Sequence, residues 1–417
     1  MALIQQLIAS FGAAAAAAIA AVLRSTLNNP NPYSTSANDY FGFSVSISGD
    51  KCIVGAWGED DASGTSSGKA YIYDVTTGAL LFTLNNPNSY STSANDYFGI
   101  SVSIDGTKCI VSGQGEDDAS GTNSGKAYIY DVTTGALLTT LNNPNAYGTV
   151  ANDYFGSSVS ISGNKCIVGA NTEDDAGGLS SGKAYIFDVT TGALLFTLNN
   201  PNPYSTSLGD NFGISVSISG DRCIVGAYQE DDASGTNSGK AYIYDVTTGA
   251  LLFTLNNPNP YSTSVTDYFG YSVSISGDRC IVGAYGEDDA SGTDSGKAYI
   301  YNVTTGALLF TLNNPNPFGT SASDQFGISV SISGTKCIVG AFQEDASGNS
   351  DSGKAYIFDV TTGALLSTVN NPNAYSTAAY DNLGVSVSIS GNKCLVGANN
   401  EDDAAGTSSG KAYIFDV

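Results

Sequence analysis

The chain contains no histidine. The commonest general base and the commonest metal ligand are therefore missing. Ser-His-Asp and Cys-His chemistry are excluded, and so is His-ligated zinc. Basic residues are scarce as well: 15 Lys and Arg stand against 39 Asp and Glu, a net charge of −24. Nucleic-acid binding needs clustered Lys and Arg on phosphates, so that class is disfavoured, and an anionic membrane surface would repel the chain. A charge of this size favours solubility. It is spread along the chain in small regular doses rather than gathered in a tail.

What is present is a repeat. The glycine that follows Phe41 recurs at Gly99, Gly156, Gly213, Gly270, Gly327 and Gly384 after Gly42, every step being 57 residues. A fixed period of this kind decides the fold before any other feature does. One repeat holds four short runs rich in β-branched and aromatic residues and bounded by Gly, Asn, Asp or Ser, the signature of strands. They cover residues 43–48, 52–57, 69–75 and 79–84, and none carries a sustained 3.6-residue apolar period. Tight connections at 48–50 and 76–78 alternate with long ones at 58–68 and 85–97. In an up-and-down sheet both long connections leave on the same side, so one face carries all the long polar loops.

A four-stranded meander that is apolar on both faces needs a neighbour on each side. Seven of them packed radially supply this, and the expected fold is an all-β, seven-bladed propeller of antiparallel blades. A linear stack would need atypical capping repeats, and there are none. The chain stops at Val417, directly after a third strand, while residues 22–27 read as a fourth strand that precedes the first full repeat. The N-terminal strand is therefore expected to complete the blade that the C-terminus begins, which divides the chain into residues 1–21 and a propeller over 22–417.

The pattern of Phe41-Gly42, the alternating run 43–48, Val54-Gly55-Ala56, and Gly68 before a Tyr-rich strand resembles FG-GAP repeat proteins, which include the integrin-α-like seven-bladed propellers. The likeness extends over the whole repeat region. It implies ligand binding, adhesion or a structural role, seldom an enzyme. Members of that family often carry an Asp-rich calcium loop between the first and second strands. Here that connection is Ser48-Gly49-Asp50, with Thr107, Asn164, Thr335 or Asn392 at the Asp position in other copies. It is too short and too poor in carboxylates to wrap calcium, so the family's calcium site does not carry over.

The seven cysteines, Cys52, Cys109, Cys166, Cys223, Cys280, Cys337 and Cys394, are one repeat position seen seven times. Equivalent points on neighbouring blades lie beyond disulfide reach, and an odd number cannot pair fully. They read as small buried apolar residues. Free thiols in this number mildly favour folding in a reducing compartment.

Residues 1–21 are apolar and Ala-rich and are expected to form a helix. A signal peptide would want a positive leading region, which is missing. A membrane anchor is long enough, but nearly half of the segment is Ala and no Lys or Arg cluster flanks it. The favoured reading is a helix that packs on copies of itself or on a partner, with Leu3, Ile4, Leu7, Ile8 and Phe11 as its seam.

Candidate sites lie on the long-loop face. The residue after the second strand's Gly-Ala varies between copies, giving Trp57, Tyr228, Tyr285 and Phe342 as ligand or partner candidates for a glycan or a protein. Asp39 with Glu59, Asp60 and Asp61, and their repeat equivalents, offer hard oxygen ligands to calcium; the alternative is a solvated acidic turn. No cofactor is called for otherwise. Asn302-Val303-Thr304 is a lone glycosylation sequon. Sevenfold copying leaves no single special place for catalysis, so no enzyme is expected. The first expectation of function is a structural subunit of an extracellular assembly, a virion or a surface filament, with the N-terminal helix driving assembly. The alternative is a membrane-tethered adhesin that binds through the long-loop face.

Overall fold

The computed structural model describes residues 20–417 apart from a short stretch in each long loop: 32–37, 61–64, 89–94, 118–121, 146–151, 175–178, 203–208, 232–235, 260–265, 289–292, 317–322, 346–350, 374–379 and 403–406. The described residues form seven four-stranded antiparallel sheets. In the first blade the inner strand is Ser44–Ser48, followed by Lys51–Ala56, Lys69–Asp74 and the outer strand Leu80–Asn85. Each blade follows this order. The seventh is the exception foreseen at the chain ends. Its inner three strands are Leu383–Ser390, Lys393–Ala398 and Lys411–Asp416, and its outer strand is Val22–Asn28, which pairs antiparallel with Lys411–Asp416. The N- and C-terminal parts of the chain thus share a blade and close the ring.

The period-2 alternation of each strand sends neighbouring side chains into different inter-blade cores. Between the first and second blades, Ile53, Ala70, Ile72 and Leu84 meet Phe98, Val102, Ile104 and Val111. Cys52 and Val54 point the other way, into the core shared with Leu395 and Ile414 of the seventh blade and with Leu27 of the N-terminal strand. The closing seam is therefore packed like the other six. All seven cysteines are free and buried in these cores.

Around the central channel the blades are stitched by serine. The inner strand's Ser46 Oγ accepts the Ile104 N–H of the next blade at 3.1 Å, and Ser44 Oγ donates to the Gly99 carbonyl at 2.7 Å. Ser388 and Ser386 repeat both bonds across the closing seam. The Gly of each Phe-Gly pair sits where two blades cross. Gly99 has φ +91°, and a Cβ there would lie 2.3 Å from the Lys69 carbonyl oxygen, so no other residue fits.

The helix expected over residues 1–21 falls almost entirely on residues outside the described set, and with it Leu3, Ile4, Leu7, Ile8 and Phe11. Ala20 and Ala21 are described and are not helical. The Ala21 N–H donates to Ser367 Oγ at 2.9 Å and leads into the outer strand.

Candidate functional site

The acidic loops come first, because they set the frame of the long-loop face. Glu59 turns inward. Its side chain is fully buried, the Lys69 Nζ lies 2.5 Å from Oε1, and the Tyr71 hydroxyl donates to both carboxylate oxygens at 2.6–2.7 Å. The same Glu–Lys ion pair recurs in all seven blades. Burial pushes the Glu59 carboxyl up to about 7, against the lowering pull of Lys69 and Tyr71. The Glu59 carbonyl also accepts the Gly68 N–H at 2.9 Å, so this residue pins both ends of the loop.

Asp39 is buried and accepts from Asn29 Nδ2 at 2.8 Å. Asp60 Oδ1 accepts the Ser66 N–H at 2.8 Å. Asp61 lies outside the described residues. The described carboxylates expected to take calcium thus each hold a loop in place. Among the described residues no three His, Cys, Asp or Glu side chains gather as a metal site. The connection that carries calcium in related propellers does not fit the ion either. It is a two-residue turn with Gly49 at φ +61°, and its one carboxylate, Asp50, is paired with Lys51 at 3.2 Å. Calcium wants six or more oxygens. The sequon asparagine, Asn302, has a turn to hold: its Oδ1 accepts the N–H groups of Thr304 and Thr305, the job that Asp74 does in the first blade.

The variable aromatics occupy a different place. Trp57, Tyr228, Tyr285 and Phe342 are all half-buried at the ring position just outside the inner strands. Two further variable positions join them. The residue before each Phe-Gly (Tyr40 in the first blade) stacks on Trp57 with centroids 4.8 Å apart. The residue after each Phe-Gly (Phe43 in the first blade) meets Trp57 edge-on at 5.9 Å and lines the mouth of the central channel. The contact then passes to the next blade, since Trp57 meets Tyr97 at 5.2 Å. Elsewhere on the ring Tyr228 meets Tyr268 at 5.5 Å, and Asn171 Nδ2 donates to Asn211 Oδ1 at 3.2 Å. Positions 40 and 57 of the repeat thus alternate around the face as a belt.

The belt is held firmly. Tyr40, Tyr97 and Tyr268 sit at φ 55°, 57° and 58°, a left-handed conformation that non-glycine residues adopt only under constraint. The constraint is visible: the Tyr97 and Phe98 N–H groups donate to the Ser66 and Ser67 carbonyls of the preceding blade. Inside the belt lies a cavity of about 270 Å³, walled in each blade by the three residues that follow Gly42 and its repeat equivalents, from Phe43, Ser44 and Val45 to Val385, Ser386 and Val387.

Sequence reasoning found the position of Trp57 and missed those of Tyr40 and Phe43. The signal was there. At residues 40, 97, 154, 211, 268, 325 and 382, and again at 43, 100, 157, 214, 271, 328 and 385, copies that otherwise agree differ in side-chain chemistry.

Among the described residues no helix is long and apolar enough to cross a membrane. No curated protein matches the chain. The model of the FG-GAP repeat matches seven times, at residues 32–73, 91–130, 145–187, 205–244, 262–301, 318–358 and 373–415, one match to each blade. Together these segments make up more than half of the sequence, and the chain belongs to the FG-GAP repeat family.

Proposed function

We infer that this chain is a non-enzymatic binding propeller, acting outside the cell, that holds a glycan or protein partner on the belt around the channel mouth. FG-GAP propellers are in general not enzymes, and their repeats are typical of extracellular proteins. One observation carries the reading. Seven nearly identical blades depart from one another in a belt of side chains, most of them half-exposed, and the departures are chemical, from Trp and Tyr to Asn and Gln. Aromatic side chains held rigidly on a surface are the usual energetic anchors of recognition.

The test is an array of glycans and extracellular proteins probed with the labelled full chain and with a variant carrying Trp57→Ala, Tyr228→Ala and Tyr285→Ala together. Saturable binding that the triple variant loses, while it keeps the circular dichroism of the folded chain, is expected. Binding that survives all three changes removes the belt from the account.

A second reading, a structural subunit, has one observation in its favour. Each blade's outer strand is a sheet edge with exposed leucines, such as Leu80 at 42% and Leu81 at 38%. Unprotected apolar edges favour association with another copy. The N-terminal segment expected to drive assembly lies outside the described residues. Concentration-dependent light scattering that vanishes when Leu80 and Leu81 and their equivalents become Asp supports this reading; a monomer at all concentrations ends it.

A further inference from the structure

We propose that the belt is a single elongated site for a neutral oligosaccharide, gripped by two opposed aromatic platforms. This rests on the binding reading above and names its ligand class.

Only the first and fifth blades are aromatic at all three belt positions, and they build the same object. In the first, Tyr40 stacks on Trp57 at 4.8 Å and 15°, with Phe43 edge-on at 79°. In the fifth, Tyr268 stacks on Tyr285 at 5.1 Å and 24°, with Tyr271 edge-on at 75°. Each platform gains a ring from a neighbouring blade, Tyr97 on one and Tyr228 on the other. Around a ring of seven, these two blades stand three steps apart one way and four the other, almost across the channel mouth from each other. Amides occupy the arcs between them, Asn171 with Asn211 on one side and Asn382 with Asn399 on the other. The sevenfold scaffold thus carries a site of near-twofold pattern.

The chemistry of the occupant follows from charge and from unmet hydrogen bonds. The chain has a net charge of −24, yet no residue at the three belt positions of any blade is charged. No belt position itself supplies a counter-charge to a cationic or anionic ligand. Three buried polar atoms there have no hydrogen-bond partner among the described residues: Trp57 Nε1, Ser157 Oγ and Asn399 Oδ1. Asn399 is only 7% exposed. Buried polar atoms are normally paired. The indole N–H only donates and the Asn399 amide oxygen only accepts. Their common complement both donates and accepts, as a hydroxyl does; an alkylammonium only donates and leaves the indole unmet. Apolar ring faces that bear hydroxyls at their edges are sugar rings, whose C–H faces lie on aromatic rings while their hydroxyls reach the amides.

Trp57 is the only tryptophan of the chain and lies in the first platform, so native fluorescence reports on the site directly. The experiment titrates the full chain with neutral gluco-, manno- and N-acetylglucosamine oligosaccharides of increasing length, at low and high salt. One series is expected to give a saturable, salt-insensitive change. Its affinity should rise at least tenfold once the chain is long enough to reach the second platform. Tyr268→Ala with Tyr285→Ala, in a variant that keeps the circular dichroism of the folded chain, should abolish that rise with length. Silence toward every saccharide, while a protein on the array binds and is lost in the triple belt variant, overturns the saccharide and leaves the belt. A response to tetramethylammonium or polylysine that salt removes overturns it as well. Loss of neither kind of binding in the belt variant sinks the underlying reading instead.

Discussion

Replacing Lys69 by Met removes the cation from one buried triad and keeps most of its apolar stem. The Glu59 side chain it leaves is 0% exposed, and that of Lys69 is 11% exposed. Breaking a buried pair by removing one partner costs about 3–5 kcal/mol, because the survivor is an uncompensated buried charge. The Tyr71 hydroxyl still donates to Glu59, which places Lys69→Met near the lower end, about 3 kcal/mol at pH 8. Glu59 escapes this cost by taking a proton. Burial already raises its carboxyl from an ordinary 4.5 to about 7, and loss of Lys69 raises it further. At pH 5 the variant should therefore lose only about 1 kcal/mol, the worth of the missing hydrogen bond. The wild type follows the same logic. A carboxyl that titrates higher folded than unfolded takes up protons on folding, so its contribution is full below 4.5 and is lost as pH rises through about 7. Glu116 and Glu287 share that value and Glu230 is raised to about 6, so the wild type should gain stability as pH falls from 8 to 5. Urea unfolding of both proteins at pH 5 and pH 8 decides the matter. A loss in Lys69→Met that is the same at both pH values refutes the argument, as does a loss below about 1 kcal/mol at pH 8.

Other outcomes follow from the packing. Gly99→Ala puts a Cβ 2.3 Å from the Lys69 carbonyl oxygen at φ +91°, and should cost more than about 3 kcal/mol in urea unfolding. Gly106→Ala, at φ +59° with nothing within 4 Å, should cost only about 1 kcal/mol; equal losses would deny the blade-crossing role of the Phe-Gly glycine. The seven buried thiols should resist a thiol reagent until the protein unfolds, since burial pushes Cys52 up to about 12 and its six equivalents up as well. Fast labelling of the native chain would contradict that placement.

The architecture was legible because a repeat multiplies weak signals. One run such as residues 44–48 is ambiguous, but seven copies at a fixed step are not, and the unpaired fourth strand at residues 22–27 announced how the ring closes. The cores followed from period-2 alternation alone. The acidic loop was harder to read. Glu59, Asp60 and Asp61 look alike in sequence, yet Glu59 turns inward because Lys69 and Tyr71, ten and twelve residues on, converge on it across a loop. A hint was available: the sixth copy loses one Asp but keeps Glu344. Ser44 and Ser46 read as the polar side of a strand, and only the ring geometry shows that they bond the next blade. The belt was half legible. Variation at Trp57 was plain, but Tyr40 and Phe43 join it through a left-handed turn that the letters do not reveal.

The central claim is that recognition sits where sevenfold repetition breaks down, and stoichiometry tests this most directly. Native mass spectrometry of the full chain with a ligand that binds it would count occupants per propeller. One ligand per chain is the predicted result, because only one belt with its two platforms exists. Occupancy climbing toward seven would contradict the account, since it would place the site in the repeated loops that every blade shares.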